Sequence, residues 1–430
     1  MHFVKFLYKY LYKFNFHSII DAPMKNRDET ENNNALPEGE YTVAVLKAIE
    51  NRAAESRASI ARHLGLSRTT ASTIVSRLIS LNLLVEKNLL REGRGRPGIL
   101  LDLDDSVWRA IGAEYHSGHW SFVETDLKGR ILRSASLKVA GADPDSFLDS
   151  LVRGLSDFKE GVSGELLPAF GVGAPGLVDC DRGLIIRADD LGWRNVHVAD
   201  LVEKKLKTKV LLINRNRGAG LAEARFGGGR TVHQMVYIGI GTGISAAIMI
   251  DGDLVHGSFF SAGEIGHVTV NTEGPVCACG KRGCLHVYAS GSALSRRATA
   301  LIAEGGKSQL VAGGKAGESI SGEDVCLAAA AGDPLALECV REASTQLGLV
   351  IANIVTTYNP DKVIIGGPIG LIESPLIECV RKVAARWAMP HAFNTVKIER
   401  GALGESVGAL GGACLVLDRK LALASLVRRR

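Results

Sequence analysis

Apolar residues in the first quarter of the chain recur at helical spacing. Val43, Leu46, Ala48 and Ile49 predict a helix over Tyr41–Asn51, and Ile60, Ala61 and Leu64 predict a shorter one over Arg57–Leu64. Gly65-Leu66-Ser67 reads as a turn, with Ser67 placed to cap a third helix. That helix, Arg68–Leu81, gathers Ala71, Ile74, Val75 and Leu78 on one face. Its other face carries Arg68, Thr69, Thr70, Ser72, Thr73 and Arg77. From Leu83 to Leu103 the pattern changes to the alternation of a hairpin around Arg91–Gly98.

Beyond Trp108, apolar strands alternate with amphipathic helices. The strands predicted are Ala110–Glu114, Trp120–Thr125, Ile131–Lys138, Pro168–Gly173, Val210–Ile213, Gln234–Ile240, Ile244–Ile250 and Lys362–Gly366. The helices predicted are Pro144–Lys159, Val198–Lys205, Ala293–Ala303, Asp333–Thr356 and Pro375–Ala388. Such alternation is the mark of an α/β fold. The 430 residues suffice for two or three domains. Ahead of them, Met1–Ile20 would place Lys5, Lys9 and Lys13 on one helical face and Val4, Leu7, Leu11 and Phe14 on another. An interfacial membrane helix is one reading; a leader upstream of a start at Met24, with no structural role, is the other. Polar, Asn-rich Asp28–Pro37 reads as a disordered linker, so residues 1–37 are set apart.

Charge changes this picture. The chain carries +5 overall, yet eight Arg and Lys stand against two Glu between Ser56 and Gly98. A basic segment on a near-neutral body points to a polyanionic partner for that segment alone. Two short helices around a Gly turn, followed by a basic hairpin, predict a winged helix-turn-helix over residues 38–104. Arg57, Arg68, Thr69, Thr70, Ser72, Thr73 and Arg77 are the expected DNA contacts on the helices. Arg94 and Arg96 of the wing suit an A·T-rich minor groove, whose negative potential attracts arginine. The expected partner is a double-stranded operator with an inverted repeat, read by a homodimer or homotetramer. Eight cysteines without regular pairing suit a reducing cytoplasm. The longest apolar stretch, Val236–Ile250, is broken by glycines and too short to span a bilayer.

Candidate chemistry concentrates in one stretch. His267 precedes Cys277, Cys279 and Cys284, a Cys3His set that suits a structural Zn²⁺ with no open position. Gly280 and Gly283 allow the chain to fold tightly between ligands. The run Glu264-x-Gly266-His267 with Cys277-x-Cys279-Gly280-x-x-Gly283-Cys284 resembles the signature of the ROK family, which contains sugar kinases and sugar-responsive transcription regulators. The resemblance covers nearly all of residues 38–430, and the wing's Gly93-Arg94-Gly95-Arg96-Pro97 is similar to that of ROK repressors. It implies a two-lobed actin-like ATPase (ribonuclease H-like) fold over residues 105–430. The lobes would be roughly 105–222 plus 408–430, closed by a helix over Gly408–Leu423, and 223–407.

The resemblance also implies where kinase chemistry would sit. The family's Asn-Asp-x-Asn run corresponds to Asn214-Arg215-Asn216-Arg217, so Arg215 stands where the general base would be. A guanidinium cannot take up a proton there. The family's Asp-x-Gly-x-Thr turn corresponds to Glu114-Tyr115-His116-Ser117-Gly118, with His116 where Gly would let phosphate approach. The second phosphate loop, Gly239-Ile240-Gly241-Thr242-Gly243, keeps its pattern. Asn214, Glu264 and His267 match sugar-binding positions, and Gly173–Gly176 matches a pocket wall. Phe260 and His286 replace a Gly and a Glu of the family. Arg215 is expected to pair with Glu264 or with an anionic group of a ligand, and His286 to line the pocket or orient the zinc loop.

These readings predict a transcription regulator, a repressor, of carbohydrate-related genes. Its effector, a sugar or sugar derivative, would bind at Asn214, Arg215, Glu264, His267 and His286, with no catalytic residue. A bifunctional sugar kinase and a regulator whose pocket binds no small molecule are the alternatives.

Overall fold

A computed structural model describes residues 38–88, 99–139, 141, 143–230, 232–312 and 320–418. The leader, the wing segment with Arg94 and Arg96, and residues 419–430 lie outside the described residues. Glu40–Arg430 form one compact unit.

Three helices open it: α1 (Glu38–Glu50), α2 (Arg57–His63) and α3 (Arg68–Ser80). Ser56 forms a reciprocal capping box with Ser59 at the start of α2. Ser67 caps α3 by accepting from the Thr70 amide at 3.0 Å. Ala71, Ile74, Val75 and Leu78 are buried, as the spacing predicts. Strands β1 (Leu84–Asn88) and β2 (Ile99–Leu103) pair antiparallel and frame the wing.

The body then builds β3 (Trp108–His116), β4 (His119–Thr125), β5 (Ile131–Lys138), α4 (Pro144–Glu160) and β6 (Glu165–Ala174). A small meander comes next, β7 (Leu177–Asp179), β8 (Leu184–Ala188) and β9 (Trp193–His197), which the sequence pattern does not reveal. Then come α5 (Val198–Leu206), β10 (Lys209–Asn214) and α6 (Arg215–Phe226). The first large sheet has the order β10-β6-β3-β4-β5. Its core is aromatic: Trp120, Phe122 and Phe147 are fully buried, with Trp120 and Phe147 ring centroids 4.7 Å apart.

The second large sheet is built from β11 (Gln234–Ile240), β12 (Ile244–Ile250), β13 (Asp253–Leu254), β14 (Lys362–Gly366) and β15 (Lys397–Arg400), ordered β13-β12-β11-β14-β15. Helices α7 (Gly291–Ala303), α8 (Gly322–Ala330), α9 (Pro334–Tyr358) and α10 (Leu376–Trp387) accompany it. The last described helix, α11 (Val407–Asp418), returns to pack on β3, β6 and α6. Helix α6 runs unbroken through the expected lobe boundary at 222/223. It packs on α11 on one side and on β11 and β12 on the other, so it belongs to both lobes.

The helical module is not a loose appendage. Its apolar residues, Ile60, Val75, Leu78 and Leu101 among them, join the first sheet in one continuous core. Trp108 donates its buried indole N–H to the Leu81 carbonyl at 2.8 Å. At the end of α1, Glu50 accepts two bonds from Arg225 in the last turn of α6, one of them 2.8 Å. Lys47 of the same helix reaches Asp253 on the second sheet at 3.3 Å.

Candidate functional site

The face expected to read DNA runs along α3. Arg68, Thr69, Thr70, Thr73 and Arg77 are exposed on it, and Ser72 is half-buried. Arg57 departs from the expectation. Its guanidinium donates to the Ser72 carbonyl (2.8 Å), to the Ser76 hydroxyl (2.9 Å) and to Glu86 (2.9 Å). Arg57 therefore braces α3 against α2 and β1, its donors engaged by carbonyl, hydroxyl and carboxylate oxygens.

The cleft is organised by the first turn of α6. Asn214 is buried and caps that helix, its Oδ1 accepting from the amides of Asn216 (3.0 Å) and Arg217 (3.2 Å). Its Nδ2 donates to Gly176 O at 2.8 Å, which leaves its second amide hydrogen uncommitted among the described residues. Arg215, the first helical residue, lies against Tyr115 O (3.4 Å), His116 Nδ1 (3.3 Å) and Thr242 Oγ1 (3.4 Å). The two departures from the kinase pattern, 99 positions apart, thus touch each other. Since His116 Nδ1 faces a guanidinium, Nε2 carries the proton and donates to Ser117 Oγ at 2.9 Å. Burial, then the Arg215 charge, pushes the His116 pKa down to about 4, so the ring is neutral at physiological pH. Its Cε1 lies 3.5 Å from where a Cβ on Gly241 would stand, so it covers the second glycine loop. Burial raises the Glu114 pKa to about 7, against the pull of Arg215.

The expected Arg215–Glu264 pair is not formed. Arg217 takes that place, with Nη2 3.7 Å from Glu264 Oε1. Residues two apart on a helix point in different directions, so one arginine faces the glycine loop and the other faces Glu264. Arg217 is 1% exposed and also donates from Nη2 to the carbonyls of Phe260 and Ala262 (2.6 Å for the latter). Its Nη1 and the Glu264 Oε1 are buried without hydrogen-bond partners. Phe260 holds φ +57, a left-handed conformation costly for a bulky residue.

The metal set assembles as expected. The ligand atoms of His267, Cys277, Cys279 and Cys284 all lie within 4.8 Å of one another. His267 Nδ1 is 3.6 Å from Cys277 Sγ, and Cys279 Sγ is 3.6 Å from Cys284 Sγ. Tetrahedral coordination at about 2.3 Å per sulfur requires S···S edges near about 3.8 Å, so the donors fit a zinc-sized ion. Gly280 (φ +91) and Gly283 (φ +61) take the left-handed backbone that closes the loop. The His286 ring stacks on His267 with centroids 6.0 Å apart, which places it beside the metal loop. Arg187 of β8 donates to Ala278 O at 3.3 Å and ties the loop to the opposite side of the cleft.

The ROK family pattern matches residues 115–419. The chain belongs to the ROK family. A crystal structure of a ROK family transcriptional regulator, a homologue of the E. coli Mlc protein, superposes with a TM-score of 0.78 at 27% identity, covering 91% of this chain and 99% of that one. The xylose repressor of Caldicellulosiruptor bescii is 28% identical over 88% of this chain and 95% of its own length. The glucokinase of Halalkalibacterium halodurans is 32% identical, over 71% of this chain and 97% of its own. Among the described residues, no helix of this ROK protein is long and apolar enough to cross a membrane.

Two site features escape the sequence reading. The Arg217–Glu264 pair needs the turn of α6 to be oriented before either residue has a partner. The Glu50–Arg225 pair joins residues 175 positions apart, and no local pattern marks it.

Proposed function

We propose that this ROK protein is a DNA-binding transcription repressor of carbohydrate-related genes, governed by a sugar or sugar derivative in a cleft that performs no phosphoryl transfer. The carrying observation is the contact between Arg215 and His116. Sugar phosphorylation needs a base on the attacking hydroxyl and an open cradle for the ATP phosphates. A permanently protonated guanidinium stands at the first position and an imidazole at the second. The reach of the relatives supports the same reading: the repressor aligns across the helix-turn-helix module, whereas the glucokinase covers a shorter share of the chain.

The exposed face of α3 enters the major groove, with Arg68, Thr69, Thr70, Thr73 and Arg77 at base edges and phosphates. The basic wing sequence reaches an adjacent A·T-rich minor groove, and a homodimer or homotetramer reads an inverted repeat in the cytoplasm. His267, Cys277, Cys279 and Cys284 would hold a structural Zn²⁺, which would offset most of the charge of the three thiolates and rigidify the loop that carries Glu264 and His267. A coupled ADP-release assay over hexoses, pentoses and amino sugars tests the loss of activity. No turnover above background is expected, in the wild type or in Arg215→Asp, because His116 remains. Turnover that disappears on mutating Asn214 would restore the kinase reading.

A further inference from the structure

The first turn of α6 brings two cations into the cleft with too little negative charge to meet them. Arg217 is 1% exposed and has one carboxylate near it, Glu264, at the non-ideal distance of 3.7 Å. Its Nη1 has no acceptor, although a buried guanidinium nitrogen without one is costly. Arg215 has no carboxylate within 4.0 Å among the described residues; the one that feels its charge, Glu114, is held by burial at a pKa of about 7 and is only partly ionised at physiological pH. Its three contacts are to neutral oxygen or nitrogen atoms at 3.3–3.4 Å, beyond the usual range for such bonds. It is half-buried, so it is both partly desolvated and within reach of a ligand.

From these two under-compensated arginines we infer that the effector is a monosaccharide carrying an anionic group, a carboxylate or a phosphate ester, and that Arg215 receives that group. This rests on the reading of the cleft as an effector site and names the effector's chemical class. The two ends of the site divide the work. Arg217 Nη1 and Glu264 Oε1, a donor and an acceptor both lacking a hydrogen-bond partner, suit one hydroxyl, which accepts from the first and donates to the second. The spare amide hydrogen of Asn214 lies at the start of the same helix. Arg215 exchanges its long contacts to Tyr115 O and Thr242 Oγ1 for charge-assisted bonds to an oxyanion, with Thr242 Oγ1 beside it as a further donor. The neutral His116 ring keeps Nδ1 available to hold the guanidinium in place while it does so. Neutral sugars satisfy the hydroxyl end and leave Arg215 as it stands.

The test is isothermal titration of the zinc-loaded full-length protein with glucose, xylose and N-acetylglucosamine, each as the neutral sugar, as its sugar acid and as its phosphate ester. Inorganic phosphate serves as a control. In at least one series the acid or the phosphate should bind about tenfold or more tightly than its neutral parent. That advantage should shrink when NaCl rises from about 50 to 500 mM, since screening weakens only the charged contact. The two anionic arms separate carboxylate from phosphate recognition. Arg215→Gln should remove the advantage, Arg215→Lys should keep part of it, and the wild-type salt series gives the answer even if a variant fails to fold. A neutral sugar that binds as tightly as its anionic derivatives, with no salt dependence, overturns the anionic class and leaves the sugar-effector reading standing. Silence from every series overturns both.

Discussion

Replacing Glu50 by Gln tests how the DNA-reading module is coupled to the cleft. Glu50 closes α1 and holds Arg225 with both carboxylate oxygens. Arg225 lies in the last turn of α6, the helix whose first turn carries Asn214, Arg215 and Arg217. At about 1.5 Å per residue, the ten steps from Arg215 to Arg225 make a rod of about 15 Å between the proposed effector site and the helical module. The side chains are 13% and 19% exposed, so the pair is largely desolvated. Removing one partner of a fully buried pair costs about 3–5 kcal/mol. Here Arg225 keeps Cys414 O at 3.4 Å as a second acceptor and both groups retain some water, so about 2–3 kcal/mol is expected. The assay is a double-mutant cycle of Glu50→Gln and Arg225→Gln. It is read by equilibrium urea unfolding, with the fluorescence of Trp108, which bonds across the same junction, as a probe. A coupling energy near about 2 kcal/mol is expected, together with a blunted response of DNA binding to effector. Additive effects of the two variants, within about 0.5 kcal/mol, would refute the claim that this pair fastens module to body.

Other expectations arise from the same geometry. Purified protein should hold about one Zn²⁺ per chain, and Cys279→Ser should release it and lower the melting temperature, as metal analysis and calorimetry would show. Arg68→Ala should reduce discrimination at a major-groove base by about 1–3 kcal/mol in a binding-site selection. Arg57→Ala should instead lower the thermal stability of the helical module, because its contacts are internal. Glu114 sets a pH trend. Its folded pKa of about 7 exceeds its ordinary 4.5, so the folded state binds more protons and stability falls as pH rises through that window. His116, depressed to about 4, opposes this below its ordinary 6.5. Urea unfolding of Glu114→Gln should therefore show a gain over the wild type that grows with pH and is largest above about pH 7.

Much of this was legible because it is periodic or clustered. The apolar spacing of α3 and the strands Ile131–Lys138, Gln234–Ile240, Ile244–Ile250 and Lys362–Gly366 emerge with the boundaries that their patterns predict. The metal set was legible because its three cysteines lie within eight positions and its histidine ten before them. The β7–β9 meander was not, because three-to-five-residue strands between turns carry too few alternations. Pairings across long separations were the other blind spot. Arg215 and Arg217 are equivalent in the sequence, and only the phase of α6 decides that Arg217 meets Glu264. Arg57 shows the same limit: a basic residue in a basic segment suggests DNA, and the pattern gives no sign that the oxygens of Ser72, Ser76 and Glu86 also engage it.

The most direct measurement of the central claim is a binding-site selection from random duplex DNA with the zinc-loaded full-length protein at physiological salt, completed by titration of the selected duplex with effector. The account predicts an inverted repeat with A·T-rich steps beside each half-site, altered at major-groove positions by Arg68→Ala and released when the effector binds. Recovery of no preferred sequence, or of one that Arg68 and Thr70 variants leave unchanged, would contradict it.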